Sequence, residues 1–337
     1  MSDLRRRSWL AEARSRFLSN RLAVLGVVMI AIFFIGAISH PILMATVWDR
    51  DVYHPIYGHD SIVTELTVVE TVTDPATEID VMNARLKDPF AAPGDVVKDI
   101  ALPEAFTLAH PLGVDNLGRD VLSMVLAAAA PSFVVGLSAA ITTAIVGVIV
   151  ATAGAYFRRG TDAVLTQISD ALLVLPAPLL MVILGAGPLR DYITPIVFGV
   201  LYGVVSGAGA AAIVLRSQAL TILSRPFIDA ARVAGAGAKE IILNHLLPHL
   251  VPVAALYMLL GVSGAIVADG FVSFLGFSDT RLNWGTIIFF ALSLPPSNSD
   301  GIPWEALGSA AAAITLFSAA FYLVGLGVRD IARPRNN

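Results

Sequence analysis

The sequence predicts an all-α integral membrane protein of about six transmembrane helices, with a small, partly β extracytoplasmic insert. Three observations carry that expectation. Apolar residues make up 56% of the 337 and charged residues only 14%, where a soluble domain carries about a quarter charged residues. Mean hydropathy is +0.76. Apolar runs recur at the length needed to cross a hydrocarbon core of about 30 Å, roughly 20 helical residues, and basic residues gather in alternate segments between them. The formal net charge of −4 says little, because the charges are segregated along the chain. Cysteine is absent, which excludes disulfides, thiolate metal sites and cysteine nucleophiles. The chain is too apolar for a nucleic-acid-binding role.

Taken in order, the first span is predicted at Leu22–Val47, behind a leader rich in arginine. Gly36-Ala37-Ile38-Ser39 resembles a small-residue cleavage site, but the apolar run is longer than the roughly 7–15 residues of a signal-peptide core. Residues 49–120 are polar and proline-containing, and the alternation Ile62-Val63-Thr64-Glu65-Leu66-Thr67-Val68-Val69 predicts short strands. A short segment at Asp120–Ala130 is expected to lie at the interface before a second span at Ser132–Phe157. Arg158-Arg159-Gly160 marks a tight turn, followed by a third span at Ala163–Ala186. The fourth, Ile193–Leu215, contains Gly203, Gly207 and Gly209, which allow close helix approach. A polar segment follows, then spans five (Val251–Phe274) and six (Ala306–Val328), with a short re-entrant or interfacial helix at Trp284–Ser293 between them.

Charge placement orients the chain. With the N-terminus inside, the inner segments hold the six leader arginines, Arg158, Arg159, Arg216, Arg225, Arg232, Lys239, Arg329, Arg333 and Arg335, fifteen of the 22 basic residues. Residues 49–120 carry 14 acids against 5 bases, which suits the outside. The expected organisation is a cytoplasmic leader (1–21), a first helix (22–47), an extracytoplasmic insert with its interfacial segment (48–131), a core domain (132–328) containing an inner loop at 216–250, and a cytoplasmic tail (329–337).

Three motifs then narrow the reading. The inner loop contains Asp229-Ala230-Ala231-Arg232-Val233-Ala234-Gly235 and continues through Lys239 to Leu246-Leu247-Pro248. It predicts two short helices broken at Gly235–Gly237, with Pro248 opening the next membrane helix and two alanines leaving one face without bulk. The alternative is an ordinary amphipathic helix on the membrane surface. A second motif, His110-Pro111-Leu112-Gly113-Val114-Asp115-Asn116-Leu117-Gly118-Arg119-Asp120, reads as a turn with Asp115 and Asp120 flanking Arg119; an ion pair there would be worth little if exposed. The third is Ala268-Asp269-Gly270-Phe271-Val272-Ser273-Phe274-Leu275-Gly276, followed by Asn283-Trp284-Gly285.

Together these motifs resemble the ATP-binding-cassette importer permeases of the dipeptide/oligopeptide (nickel) family, C-type subunit. The loop resembles the family's coupling loop, with Asp229 where glutamate is usual. The resemblance covers nearly the whole chain apart from the insert, which looks longer than is typical. It implies the type I permease fold and a coupling role for Asp229, Ala230, Ala231, Gly235, Lys239, Leu247 and Pro248. It also marks Asp115, Gly118, Arg119 and Asp120 as a family signature before span two. The implied partners are a B-type permease subunit, two ATP-binding-cassette subunits carrying ATP and magnesium, an extracytoplasmic solute-binding protein and the lipid bilayer of a bacterial or archaeal cytoplasmic membrane. Peptides are the expected cargo; related permeases carry nickel chelates or oligosaccharides.

No nucleotide site is expected in this chain, because a phosphate-binding loop ends in Gly-Lys-Ser/Thr, and the three lysines follow Leu86, Val97 and Ala238. Acids inside spans are functional candidates, which singles out Asp170 and Asp269 for the translocation path. His245 and His249 could share a helix face, but Pro248 is expected to break it. His54, His59 and Asp60 are too loosely clustered to suggest a metal site. An ion-coupled secondary transporter would show inverted repeats and midplane charges; no clear repeat is present and midplane charges are few. No metalloprotease or serine-hydrolase motif suggests a membrane enzyme.

Overall fold

The computed structural model describes residues 15, 17–101, 107–157, 160–187, 192–277, 282–293 and 303–332. The Arg158-Arg159 turn, the leader arginines other than Arg21, and Arg190, Arg281, Arg333 and Arg335 lie outside them. Among the described residues five helices are long and apolar enough to cross a membrane, and a bent pair of helices, taken together, has the length and composition of a sixth.

The first, α1 (Arg21–Thr46), starts where the Asn20 side chain accepts hydrogen bonds from the backbone of Leu22 and Ala23 at 3.0 and 3.2 Å, satisfying two of the free N–H groups of a first helical turn. After it come a single turn, α2 (Arg50–Tyr53), and the sequence β1 (Ile62–Thr67), α3 (Pro75–Lys87), β2 (Val96–Ala101). The strands pair antiparallel, with Ile62 opposite Ala101 and Thr67 opposite Val96. The alternation thus forms a strand over its first six residues, Ile62–Thr67. Helix α3 was not foreseen, although Asp74 caps it by accepting from Thr77 N at 2.8 Å and Pro75 opens it.

Helix α4 (Val121–Phe157) runs for 37 residues, about 55 Å. The segment expected at the interface, Asp120–Ala130, is continuous with the second span: from Val121 onward it is the first part of this helix. Pro131 lies within the helix without ending it. The third span is corrected. It is two helices, α5 (Gly160–Val174) and α6 (Ala177–Ala186), bent by 82°. Leu175-Pro176-Ala177-Pro178 explains the bend, because each proline removes a donor and disfavours helical geometry in the residue before it. The fourth span joins α7 (Pro195–Ser206), a π segment (Gly207–Ala211) and α8 (Ala212–Leu223). Gly199, Gly203 and Gly207 lie one above another against α4, where an added Cβ would overlap Ser138, Thr142 or the backbone of Thr143.

The expected 216–250 loop is mostly helical. α8 runs to Leu223, then α9 (Pro226–Val233), α10 (Ala238–Glu240), a second π segment (Ile241–Leu246) and α11 (Leu247–Phe274) follow. The fifth span thus begins before Pro248, which occupies the second position of α11, and helix continues through His245 and His249 where a break was expected. α12 (Trp284–Ser293) and α13 (Trp304–Ala332) complete the chain.

Two compact units are formed. One comprises residues 1–39, 126–289 and 310–337, the other 40–125 and 290–309. The first has two apolar centres. Phe33, Phe133, Trp284, Phe317 and Phe321 meet mostly edge to face, with ring centroids 4.8–6.5 Å apart. Ala151, Leu215, Ile228, Ile241, Leu246 and Leu250 belong to the second. In the other unit Val68, Val81 and Ala84 are buried around the sheet and α3.

Candidate functional site

The second apolar centre fixes the 226–250 segment. Ile228, Ile241, Leu246 and Leu250 point inward and are completely or almost completely buried. Anchoring one side of a short amphipathic helix leaves the other side outward, and Asp229, Ala230, Gly235, Lys239 and Pro248 are all exposed, with Ala231 and Leu247 partly so. α9 ends in a backbone motif. Gly235 N–H donates to Arg232 O and Ala236 N–H to Ala231 O, both at 3.0 Å, with Gly235 at φ +90°. This is the Schellman arrangement, which wants glycine because the left-handed conformation costs other residues about 1–2 kcal/mol. Just before the turn Val233 is 90% exposed, an apolar side chain that the sequence reading passed over. Its signal was present: Ile228 and Val233 cannot share one face of so short a helix. Phe227, which no motif singles out, stacks on His249 at 5.8 Å, and His245 lies at 6.2 Å from the same ring. Nδ1 of His249 contacts His245 O at 2.7 Å. The two histidines therefore take part in aromatic and backbone packing.

The 110–120 motif is a knot of buried polar groups. Asp115 accepts from the backbone of Leu117 and Arg119 at 3.0 and 2.9 Å, and from Arg119 Nε at 2.8 Å, with a second, shorter contact from the guanidinium. Both residues are at most 4% exposed, so this is no surface ion pair, and Arg119 also lies over the Phe290 ring at 4.8 Å. Asp120 turns away from Arg119. It caps α4 by accepting from Ser123 N at 2.7 Å and meets His110 Nδ1 at 2.9 Å. Asp60 holds the opposite nitrogen of His110 at 2.8 Å. Burial works against protonating His110, but the two carboxylates outweigh it and raise its pKa above the ordinary value. Burial raises the pKa of Asp120, partly offset by His110 and the Ser123 N–H. Asp60 N also donates to Gly118 O at 2.9 Å, and His59 contacts Leu117 O at 2.9 Å. His59 and Asp60 are thus committed to the knot, while His54 Nδ1 accepts from Ile56 and Tyr57 N–H.

The two acids read as path candidates occupy different surroundings. Asp170 is exposed on α5 and lines a small cavity with Arg216. Asp269 is 3% exposed and accepts from Asn283 Nδ2 at 2.9 Å. Asn283 also donates to Ser273 Oγ at 2.6 Å and caps α12: its Oδ1 accepts from Thr286 N, and the Thr286 hydroxyl accepts from Asn283 N, both at 2.9 Å. This reciprocal pair works like a capping box with threonine in the glutamate's place. Asn283 was quoted in the sequence only as part of a motif; its partnership with Asp269, across 14 residues, needed the fold.

The family described as binding-protein-dependent transport system inner membrane component matches residues 143–337, more than half of the chain, and the N-terminal TM domain of oligopeptide transport permease C matches residues 8–55. The chain belongs to this permease family. A putative peptide transport system permease protein of Brucella suis biovar 1 is 31% identical over 230 residues, covering 68% of this chain and 74% of the relative. The oligopeptide transport system permease protein OppC of Haemophilus influenzae is 29% identical over 234 residues, covering 67% and 71%. A putative peptide permease protein of Brucella ovis is 24% identical over 332 residues, 97% of this chain and 91% of the relative. That last similarity necessarily runs through the 49–120 segment. Membership accounts for the repeated long apolar helices and makes this a multi-pass membrane protein of the transport-permease class.

Proposed function

We propose that this chain is the C-type permease subunit of an ATP-binding-cassette importer that carries di- or oligopeptides. Support for the cargo comes from relatives named as peptide and oligopeptide permeases. The observation that carries the mechanism is the outward face of α9: Asp229, Ala230 and Val233 project from a helix held from behind by Ile228 and stopped by Gly235. A short, rigid, small-residue face with one apolar projection suits a groove on an ATPase partner, and its anchors are α8, α11 and α4, so a push on α9 reaches three spans. ATP and magnesium are held by the two partner ATPases, and closure of those subunits favours one arrangement of the spans over another. A B-type permease subunit completes the pathway, and a solute-binding protein delivers the cargo from outside. Both termini and the 226–250 segment face the cytoplasm of a bacterium or archaeon, in keeping with the basic residues. The hydrogen bonds of Asp269 favour holding α12, and Asp170, beside a small cavity that Arg216 also lines, is better placed for ion pairing within the protein than for contact with cargo.

In the reconstituted complex, Val233→Asp and Ala231→Trp are expected to cut ATP-dependent uptake of a labelled dipeptide and a labelled pentapeptide by about tenfold or more, a coupling loss of at least 1.4 kcal/mol, while the ATPases still bind ATP. Uptake at the wild-type rate in both variants would remove α9 from the coupling route. Uptake of nickel chelates or oligosaccharides in place of peptides would change the cargo and keep the mechanism.

A further inference from the structure

Between α5 and α8 lies a group of charges that the coupling role does not use. Arg216 donates through Nε and a terminal nitrogen to the two oxygens of Asp162, each at 2.6 Å, a bidentate pair of the strong kind. Facing it on α4 is Gly154, where a Cβ would come within 3.2 Å of the Asp162 carboxylate, so that only a glycine leaves the pair uncrowded. Beside the pair is a cavity of about 50 Å³, whose lining includes Thr166, Ser169, Asp170 and Arg216. Such a space exceeds the roughly 10–15 Å³ that one water needs. Asp170 forms no ion pair among the described residues. Thr166 lies between the two acids on α5, and its buried hydroxyl has no hydrogen-bond partner among the described residues.

We propose that Arg216 is a switching cation, which pairs with Asp162 in this state and with Asp170 in the alternate state of the transport cycle. This rests on reading the chain as an ATPase-coupled permease. Asp162 and Asp170 are eight residues apart on one helix, about 12 Å along its axis. The cavity gives the guanidinium room to swing, and Thr166 offers an acceptor on the way. A slide of α8 by up to one turn, about 5.4 Å, completes the transfer, a step size known for packed helices that change register. The fold supplies give on both sides. α8 starts from the π segment, in which Gly209 has non-helical angles of φ −86° and ψ −106°, and α5 ends at the 82° bend. Ser169 Oγ donates to Ala208 O at 2.5 Å and joins the π segment to α5 in this state, a bond that the slide breaks. Because α8 leads directly into α9, a push on α9 acts on Arg216 along the helix. Two acids competing for one cation make two discrete arrangements, where a single pair would make a brace.

The reconstituted complex separates the switch from a brace. ATP-dependent uptake of a labelled pentapeptide by the wild-type complex comes first; without it the permease reading itself fails. Asp170→Asn is then expected to lower the maximal rate of uptake about tenfold, with the peptide KM and the basal ATP hydrolysis unchanged. The exchanged pair Asp162→Arg with Arg216→Asp restores the present contact but sets two carboxylates facing each other at the second station. It is expected to assemble normally and to lose uptake to the same degree. Wild-type uptake in Asp170→Asn, or in the assembled exchanged pair, overturns the switch and leaves Arg216 as a brace.

Discussion

His110 carries charge chemistry that reaches well beyond its own turn. Its imidazole lies between Asp60 at 2.8 Å and Asp120 at 2.9 Å, and its folded pKa is raised above the ordinary 6.5. A raised folded value means that the imidazolium stabilises the fold fully below 6.5, and that this contribution is lost as pH rises through the folded value. The raised Asp120 acts with the same sign, because its folded carboxyl gives up its proton later than the unfolded one. The melting temperature of the purified chain in detergent is therefore expected to fall as pH is raised from 6.5, and the fall should be largely absent in His110→Gln. Ion pairs elsewhere in the chain differ just as sharply. Asp115→Ala leaves Arg119 buried without its carboxylate and is expected to cost about 3–5 kcal/mol. Asp229→Ala removes a pair whose partners are 48% and 70% exposed and is expected to cost under about 1 kcal/mol; equal losses in denaturant or thermal unfolding would contradict the burial argument. The sequence placed Asp115 and Asp120 on either side of Arg119 without dividing their labour. That division depends on Asp60, 50 residues from His110, a distance at which no local pattern speaks.

At the scale of elements, the apolar runs were readable and their interruptions were not. Span lengths follow from hydrocarbon thickness, and α12 occupies the expected Trp284–Ser293. Yet the pair of prolines at 176 and 178 was read through as one span, because hydropathy does not register a missing N–H. Pro131 was given a boundary it does not make, since neighbouring helices can support a proline inside a membrane helix. The π segments at 207–211 and 241–246 have no composition signal of their own. Glycine spacing was legible in part: Gly203 and Gly207 do meet α4, Gly199 extends the row, and Gly209 instead faces Leu172 across an ordinary 3.4 Å. Gly203→Leu is accordingly expected to abolish a monodisperse peak in detergent size-exclusion chromatography. Gly308→Leu, where an added Cβ meets nothing within 4 Å, should elute as wild type. An intact peak for Gly203→Leu would mean that α4 and α7 do not pack through their glycines.

For the whole molecule, the absence of cysteine makes every introduced thiol unique. Val233 and Phe90 are 90% and 95% exposed, and the charge pattern assigns them to opposite sides of the membrane. In intact cells a membrane-impermeant maleimide is expected to label Phe90→Cys and to reach Val233→Cys only after permeabilisation; the reverse order would invert the topology and with it the coupling role of α9. The order of synthesis adds a further consequence, one that comes from the hydrogen bond between Asp269 and Asn283. Asp269 is made 14 residues before the amide that donates to it, an interval of about 1–3 s at ordinary rates of translation. It lies five residues from the C-terminal end of α11, so it enters the bilayer for less than about 2.5–3.5 kcal/mol, the cost of a carboxylate at the helix centre. The apolar residues before it lead into the lipid, and the amide follows in the same emerging segment to take up the carboxylate.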